Sequence, residues 1–153
     1  MIVAELVPAV IEWNRGPLGP LAEHPLKDRR VRVLECDVLD VLRASPARFD
    51  AVILDVDNGP RAFTASGNAA LYGNEGVATA HAALKPDGLL AVWSAWDDRK
   101  FEQRLRYGGF AVEVTQVAML PSLTDDQPAG SDGAPTESNC CWHSVTGVVT
   151  GTV

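Results

Sequence analysis

The strongest constraint on this chain's fold is a repeated pattern: a short, nearly unbroken apolar run closes on a carboxylate, and a helical period follows. "VRVLE" (residues 31–35) and "FDAVILD" (residues 49–55) are β-branched, apolar and end in acids. Residues 3–6 form a shorter run around Glu5, and "GLLAVWSA" (residues 88–95) follows the turn chemistry of "KPDG". Near-continuous apolar strands of this length suit a parallel sheet buried on both faces. Helical periods lie between them. Residues 8–14, 38–43, 71–84 and 97–107 read as helices, the third stopping before Pro86 and Gly88. "FAVEVTQVAM" (residues 110–119) then alternates as a strand. Strand and helix in alternation predict an α/β, doubly wound, Rossmann-like sheet, mostly parallel with helices on both faces.

The composition changes after residue 120. "PSLTDDQPAGSDGAPTESN" (residues 121–139) is rich in proline and glycine without an aromatic residue, and reads as a flexible loop. Residues 140–153 are β-branched again. They either return as a last antiparallel strand beside residues 110–119 or stay outside the sheet. Residues 1–120 are therefore the expected domain.

Charge and length exclude several classes. The net charge of −7 argues against a nucleic-acid or anionic-membrane surface and is compatible with a small cationic partner. No apolar run reaches the roughly 20 residues of a membrane span, and the N-terminal stretch lacks a basic region and is interrupted by Glu5. Cys36, Cys140 and Cys141 are too few and too unevenly spaced for a disulfide framework, so a reducing, cytoplasmic setting is expected. "CCWH" (residues 140–143) lacks the two-to-four-residue spacing and the second ligand pair of a zinc site, and no metal is expected.

The candidate chemistry sits at the strand ends, where open α/β sheets bind ligands. Glu5 could accept hydrogen bonds from ribose hydroxyls; it could equally be a solvated acid at a helix entry. Asp37 could receive an adenine amine, yet position alone favours an N-cap for residues 38–43, and the two roles are compatible. In "LDVDNGP" (residues 54–60), Asp55 and Asp57 could face one cleft, one taking a proton and the other holding a cation; "DNGP" is also good turn chemistry without any site. Tyr72 and residues 61–68 would lie above the same edge, although a packed aromatic at a helix start is the better reading of Tyr72. Trp93 and Trp96 read as core.

A strand-end acid such as Glu5 normally comes about 20 residues after a glycine-rich phosphate loop. "GPLGP" (residues 16–20) follows a helix and "YGGF" (residues 107–110) precedes a strand, so neither has that context.

Taken in order, "VAELVPAVIEWNRG", "RVRVLECDVLDVL", "FDAVILDVDNGP", "LYGNEGVATAHAALKPDGLLAVWSA" and "GFAVEV" resemble the second to sixth strands of the class I S-adenosylmethionine-dependent methyltransferase fold. More narrowly, they resemble the spermidine synthase (polyamine aminopropyltransferase) family and its spermidine-synthase-like branch. The resemblance covers residues 2–117 and implies an N-terminally truncated domain lacking the first strand and its glycine-rich loop. In that fold the first strand lies between the strands that here are residues 2–6 and 50–55. Without it, these two would either pair anew or leave a cleft with apolar sheet edges.

The resemblance implies that Glu5 binds the ribose and Asp37 contacts adenine, in a "GD" motif altered here to "CD". Asp55 corresponds to the first aspartate of a D-S-S-D-P-type motif and is the implied base. The second acid, Asp57, stands two residues after it rather than three. The implied reaction is aminopropyl transfer from decarboxylated S-adenosylmethionine to a polyamine, with Asp57 and Tyr72 on the amine side. S-Adenosylmethionine-dependent methyl transfer and a non-catalytic binding remnant are the competing readings. Activity of this chain alone is not expected, and its exposed edges lead to the expectation of a homo-oligomer.

Overall fold

In the computed structural model, residues 1–56, 60, 68–94, 98–118 and 141–148 are described. The chain runs β1 (Ile2–Glu5), α1 (Pro8–Arg15), two 3₁₀ turns (Gly19–Ala22 and Pro25–Lys27), β2 (Arg32–Glu35), α2 (Val38–Arg43), β3 (Phe49–Leu54), α3 (Asn68–Leu71), α4 (Asn74–Ala83), β4 (Leu84–Ser94), α5 (Arg99–Tyr107), β5 (Ala111–Ala118) and β6 (Cys141–Val148). Residues 57–59, 61–67, 95–97 and 121–139 lie outside the described residues, and with them Asp57, Trp96, most of the segment expected above the site and the expected flexible loop.

The strands form two sheets. β1 and β2 pair in parallel, with Glu5 opposite Glu35 at their carboxyl ends. The second sheet has the order β3-β4-β6-β5. β3 and β4 are parallel, and β6 runs antiparallel between β4 and β5. β1 and β3 do not pair, so among the described residues each keeps one edge without a strand neighbour. Of the two outcomes expected for residues 2–6 and 50–55, the structure shows the open edges.

α4 and α5 build the core against the second sheet. α5 starts at Asp98, whose carboxylate accepts from the amides of Lys100 (3.0 Å) and Phe101 (3.1 Å), satisfying donors that the first turn leaves free. Phe101 and Leu105, four residues apart, are both fully buried. They join Val52, Leu54, Leu90, Val92 and Phe110 in one cluster. α2 is capped by Asp37 and buries Leu39 and Leu42 in the same cluster. Its Arg43 reaches Glu75 of α4 at 2.9 Å.

The structure departs from the sequence pattern in four places. The helix expected over residues 71–84 is broken at Tyr72 and Gly73, because Tyr72 turns its ring into the core; α4 starts afresh from Gly73. Gly76 then lies so close to the Leu71 carbonyl that a Cβ would overlap it. "KPDG" precedes no strand but lies within β4: Phe49 faces Leu84 while Ala51 faces Leu89, so residues 85–88 bulge, with Asp87 in the left-handed region (φ 60°). Lys85 fastens the bulge to Asp50 at 2.7 Å. β3, moreover, is not buried on both faces. Val52 and Leu54 point into the core, whereas Ile53 is 73% exposed. Trp93, expected in the core, is 37% exposed, because the alternation of β4 gives the buried face to Leu90, Val92 and Ser94. No helix among the described residues is long and apolar enough to cross a membrane.

Candidate functional site

Glu5, Glu35, Asp37 and Asp55 all occupy carboxyl ends of parallel strands. Glu5 ends β1 and Asp37 follows β2 by two residues. Because β1 and β2 are adjacent, about 4.8 Å apart, the structure brings Glu5 and Asp37 to neighbouring strand ends. Asp55 is exposed directly after β3, at the corresponding end of an edge strand in the second sheet.

Local hydrogen bonds fix the first two carboxylates. Glu5 Oε1 accepts from the Val7 amide at 2.8 Å, just ahead of α1. Asp37 Oδ1 accepts from the Leu39 amide at 2.8 Å, the N-cap bond expected from sequence. Each carboxylate therefore has one oxygen oriented by backbone and a second that makes no bond to a described residue. An ionised carboxylate offers about four acceptor sites, so both groups retain capacity for ligand hydroxyl or amine donors. None of the four acids forms an ion pair among the described residues. Glu5, Glu35 and Asp37 thus put three carboxylates without a cationic partner among the described residues at the carboxyl end of the β1–β2 sheet.

Tyr72 stands differently from a ligand contact. It is 3% exposed, packs edge-on to Phe101 with ring centroids 5.5 Å apart, and donates its hydroxyl to the Val56 carbonyl at 3.2 Å. Its own carbonyl accepts from Arg104 Nη1 at 2.7 Å. A core aromatic and an α5 guanidinium thus pin the backbone immediately after Asp55. Sequence reasoning did not find Arg104 or the Val56 carbonyl, and it could not: the partners lie 32 and 16 residues from Tyr72, with no motif joining them. Glu35 joins the strand-end acids at the end of β2, and its place at the close of an apolar run is the sequence signal for it. Among the described residues no group of His, Cys, Asp and Glu is placed to hold a metal ion.

No family model matches the chain. Over 77 residues, 49% of its length, the chain is 44% identical to Polyamine aminopropyltransferase 2 of Streptomyces coelicolor, and it spans 13% of that protein. A solved spermidine synthase in complex with the transition-state analogue AdoDATO superposes on 98% of the chain with a TM-score of 0.72 at 20% identity; the chain covers 46% of it. Spermidine synthase from Thermotoga maritima gives a TM-score of 0.67 at 18% identity, with 44% of its length covered. The 1,6-didemethyltoxoflavin-N1-methyltransferase of Burkholderia thailandensis, solved with S-adenosylhomocysteine, gives 0.58 at 19% identity and 61% coverage. The chain therefore carries the Rossmann-like fold of the S-adenosylmethionine-dependent methyltransferases. The chain spans less than half the length of the spermidine synthases it resembles and 13% of the aminopropyltransferase.

Proposed function

We propose that this chain contributes strand-end carboxylates to a donor site for aminopropyl transfer, from decarboxylated S-adenosylmethionine to a polyamine. The observation that carries the reading is that Glu5, Asp37 and Asp55 each stand at the carboxyl end of a parallel strand, Glu5 and Asp37 with a second oxygen unused and all three without a cationic partner among the described residues. An S-adenosylmethionine-type co-substrate is supported by the methyltransferase-fold neighbours, one of them holding S-adenosylhomocysteine. The decarboxylated form is supported by the aminopropyltransferase likeness.

The chemistry follows from charge. A sulfonium donor and a polyammonium acceptor are both cations, and a negative edge draws both. A primary amine is protonated at neutral pH, its pKa lying near 10, and attacks only once that proton has left. Asp55 takes the proton. The nitrogen lone pair then forms a bond to the aminopropyl carbon beside sulfur. The carbon–sulfur bond breaks, its electron pair stays on sulfur, and neutral methylthioadenosine leaves. Glu5 holds the ribose hydroxyls and Asp37 the adenine amine, while Asp57 accompanies Asp55 on the amine side. Tyr72 serves this site by positioning the backbone after Asp55, with its ring in the core. Orientation of the two reactants supplies much of the acceleration in such a displacement. The exposed edges of β1 and β3 favour a homo-oligomer as the working form.

The test is a thermal melt of the chain alone and with methylthioadenosine, the decarboxylated donor or S-adenosylmethionine. A ligand at 100 times its dissociation constant adds about 2.7 kcal/mol to a folded site. Stabilisation by methylthioadenosine and the decarboxylated donor, abolished by Glu5→Gln, is the expected result. Stabilisation by S-adenosylmethionine alone would replace this reading with methyl transfer, and a cooperative melt that no ligand moves would leave a non-catalytic module.

A further inference from the structure

The edge opposite the candidate site has the reverse electrostatic character. α1 runs back from the carboxyl end of β1, so Asn14 and Arg15 lie at the amino ends of the strands. The 3₁₀ turn Pro25–Lys27 leads into the start of β2 on that same side. The N-terminal ammonium is tied there too, donating to the Arg30 carbonyl at 2.7 Å. In an acidic chain, residues 15–32 carry Arg15, Lys27, Arg29, Arg30 and Arg32 against only Glu23 and Asp28. Asp28 is already committed to Arg30, at 2.7 Å.

A depression of about 200 Å³ opens on this edge, lined by Asn14, Arg15, His24, Leu26 and Lys27. Among the described residues no carboxylate lines it. Arg15 and Lys27 are exposed and form no ion pair with a described residue. The C-terminus of α1 brings about half an elementary negative charge to this edge, which two full cations outweigh. His24 forms one wall of the depression. Its backbone is held in the left-handed region (φ 55°) by an amide bond to the Gly19 carbonyl at 2.7 Å, and its ring sits against Gly19, where a Cβ would come within 2.6 Å of Nδ1. Nδ1 is closed off against Gly19, without a hydrogen-bond partner among the described residues, so the other edge of the ring is the one that can face the depression.

We propose that this depression, with His24 in its wall, binds a small phosphate-type oxyanion, with Arg15 and Lys27 as the charged donors. Guanidinium and ammonium groups are the usual partners of phosphate oxygens. With a water's share of liquid near 30 Å³, the volume suits one tetrahedral anion better than a nucleotide. The site lies on the amino edge of the strands, away from Glu5, Asp37 and Asp55, and it does not rest on the donor-site reading.

The experiment is calorimetric titration of the chain with inorganic phosphate, sulfate, a phosphate monoester and acetate, each at ionic strength held constant with chloride. Saturable binding of phosphate at one site is expected. The Arg15→Met/Lys27→Met pair should weaken it at least tenfold, and since both side chains are exposed the variant keeps its fold. An Arg99→Met/Lys100→Met pair in the first turn of α5 should bind as the wild type does. The His24 ring resonances should move with phosphate and stay fixed with chloride. Tighter binding of the monoester would name an organic phosphate as the ligand, and equal binding would name the free anion. Absence of saturable phosphate binding, or equal weakening by the two double variants, would overturn the proposal, the latter because it reports bulk screening only.

Discussion

Asp37 has a structural role that can be separated from a ligand role by one pair of substitutions. α2 has six residues, well below the roughly 12–15 at which an isolated helix becomes even marginal in water. It persists through its cap and through the burial of Leu39 and Leu42. Replacing Asp37 with Ala removes the 2.8 Å bond to the Leu39 amide, and loss of an N-cap typically costs about 1 kcal/mol, within a range of about 0.5–2. For a chain of this size that lowers Tm by about 2–4 °C. The ceiling is set by the two leucines: if α2 melted away, their lost burial would add about 1.5–3 kcal/mol each. Asn caps as well as Asp, so Asp37→Asn should stay within a few tenths of a kcal/mol of wild type. The assay is urea denaturation of the three proteins, accepted only if the m-value is unchanged. Asn as destabilising as Ala, or an Ala variant as stable as wild type, would refute the cap. A ligand effect in Asp37→Asn then reads the carboxylate charge alone.

Neighbouring residues of β3 should answer oppositely to the same substitution: Leu54→Ala should cost about 2–5 kcal/mol, whereas Ile53→Ala, at a residue 73% exposed, should stay within about 0.5 kcal/mol in the same denaturation assay. Gly76→Ala should cost about 1–3 kcal/mol by forcing α4 away from the Leu71 carbonyl, and a neutral result by thermal melt would contradict that close approach. The hydrogen bond and charge of Lys85 hold the Asp50 carboxyl below its ordinary 3.8. A lowered folded-state pKa stabilises above the unfolded value and ceases to do so as pH falls through the folded one. The stability difference between wild type and Asp50→Asn should therefore be small but present at neutral pH, shrink below about pH 3.8, and fade in high salt because both side chains are exposed.

The order of elements was legible because apolar runs and helical periods are local properties. α2 was read with its boundaries intact, its cap and its two leucines lying within a few residues of each other. What failed to read was decided by distant partners. The break between α3 and α4 depends on Tyr72 meeting Phe101 and Val56, and the bulge at Asp87 depends on the register against β3. The exposure of Ile53 and Trp93 could not be seen in their own segments, since an apolar strand looks the same whether one face or two are covered. For the candidate site, the strand-end positions of Glu5, Asp37 and Asp55 were visible as acids closing apolar runs. The backbone bonds that orient Glu5 and the Tyr72–Arg104 link beneath the Asp55 segment were not, because neither leaves a motif.

The central claim is that the carboxyl ends of β1, β2 and β3 hold the donor. It is tested most directly by mapping backbone amide shifts by NMR during titration with methylthioadenosine. The account predicts saturable shifts at Leu6 and Val7, at Cys36 to Leu39, and at Asp55 and Val56, with residues 14–27 unmoved. Shifts confined to residues 14–27, or none at a ligand concentration that saturates a spermidine synthase, would contradict it.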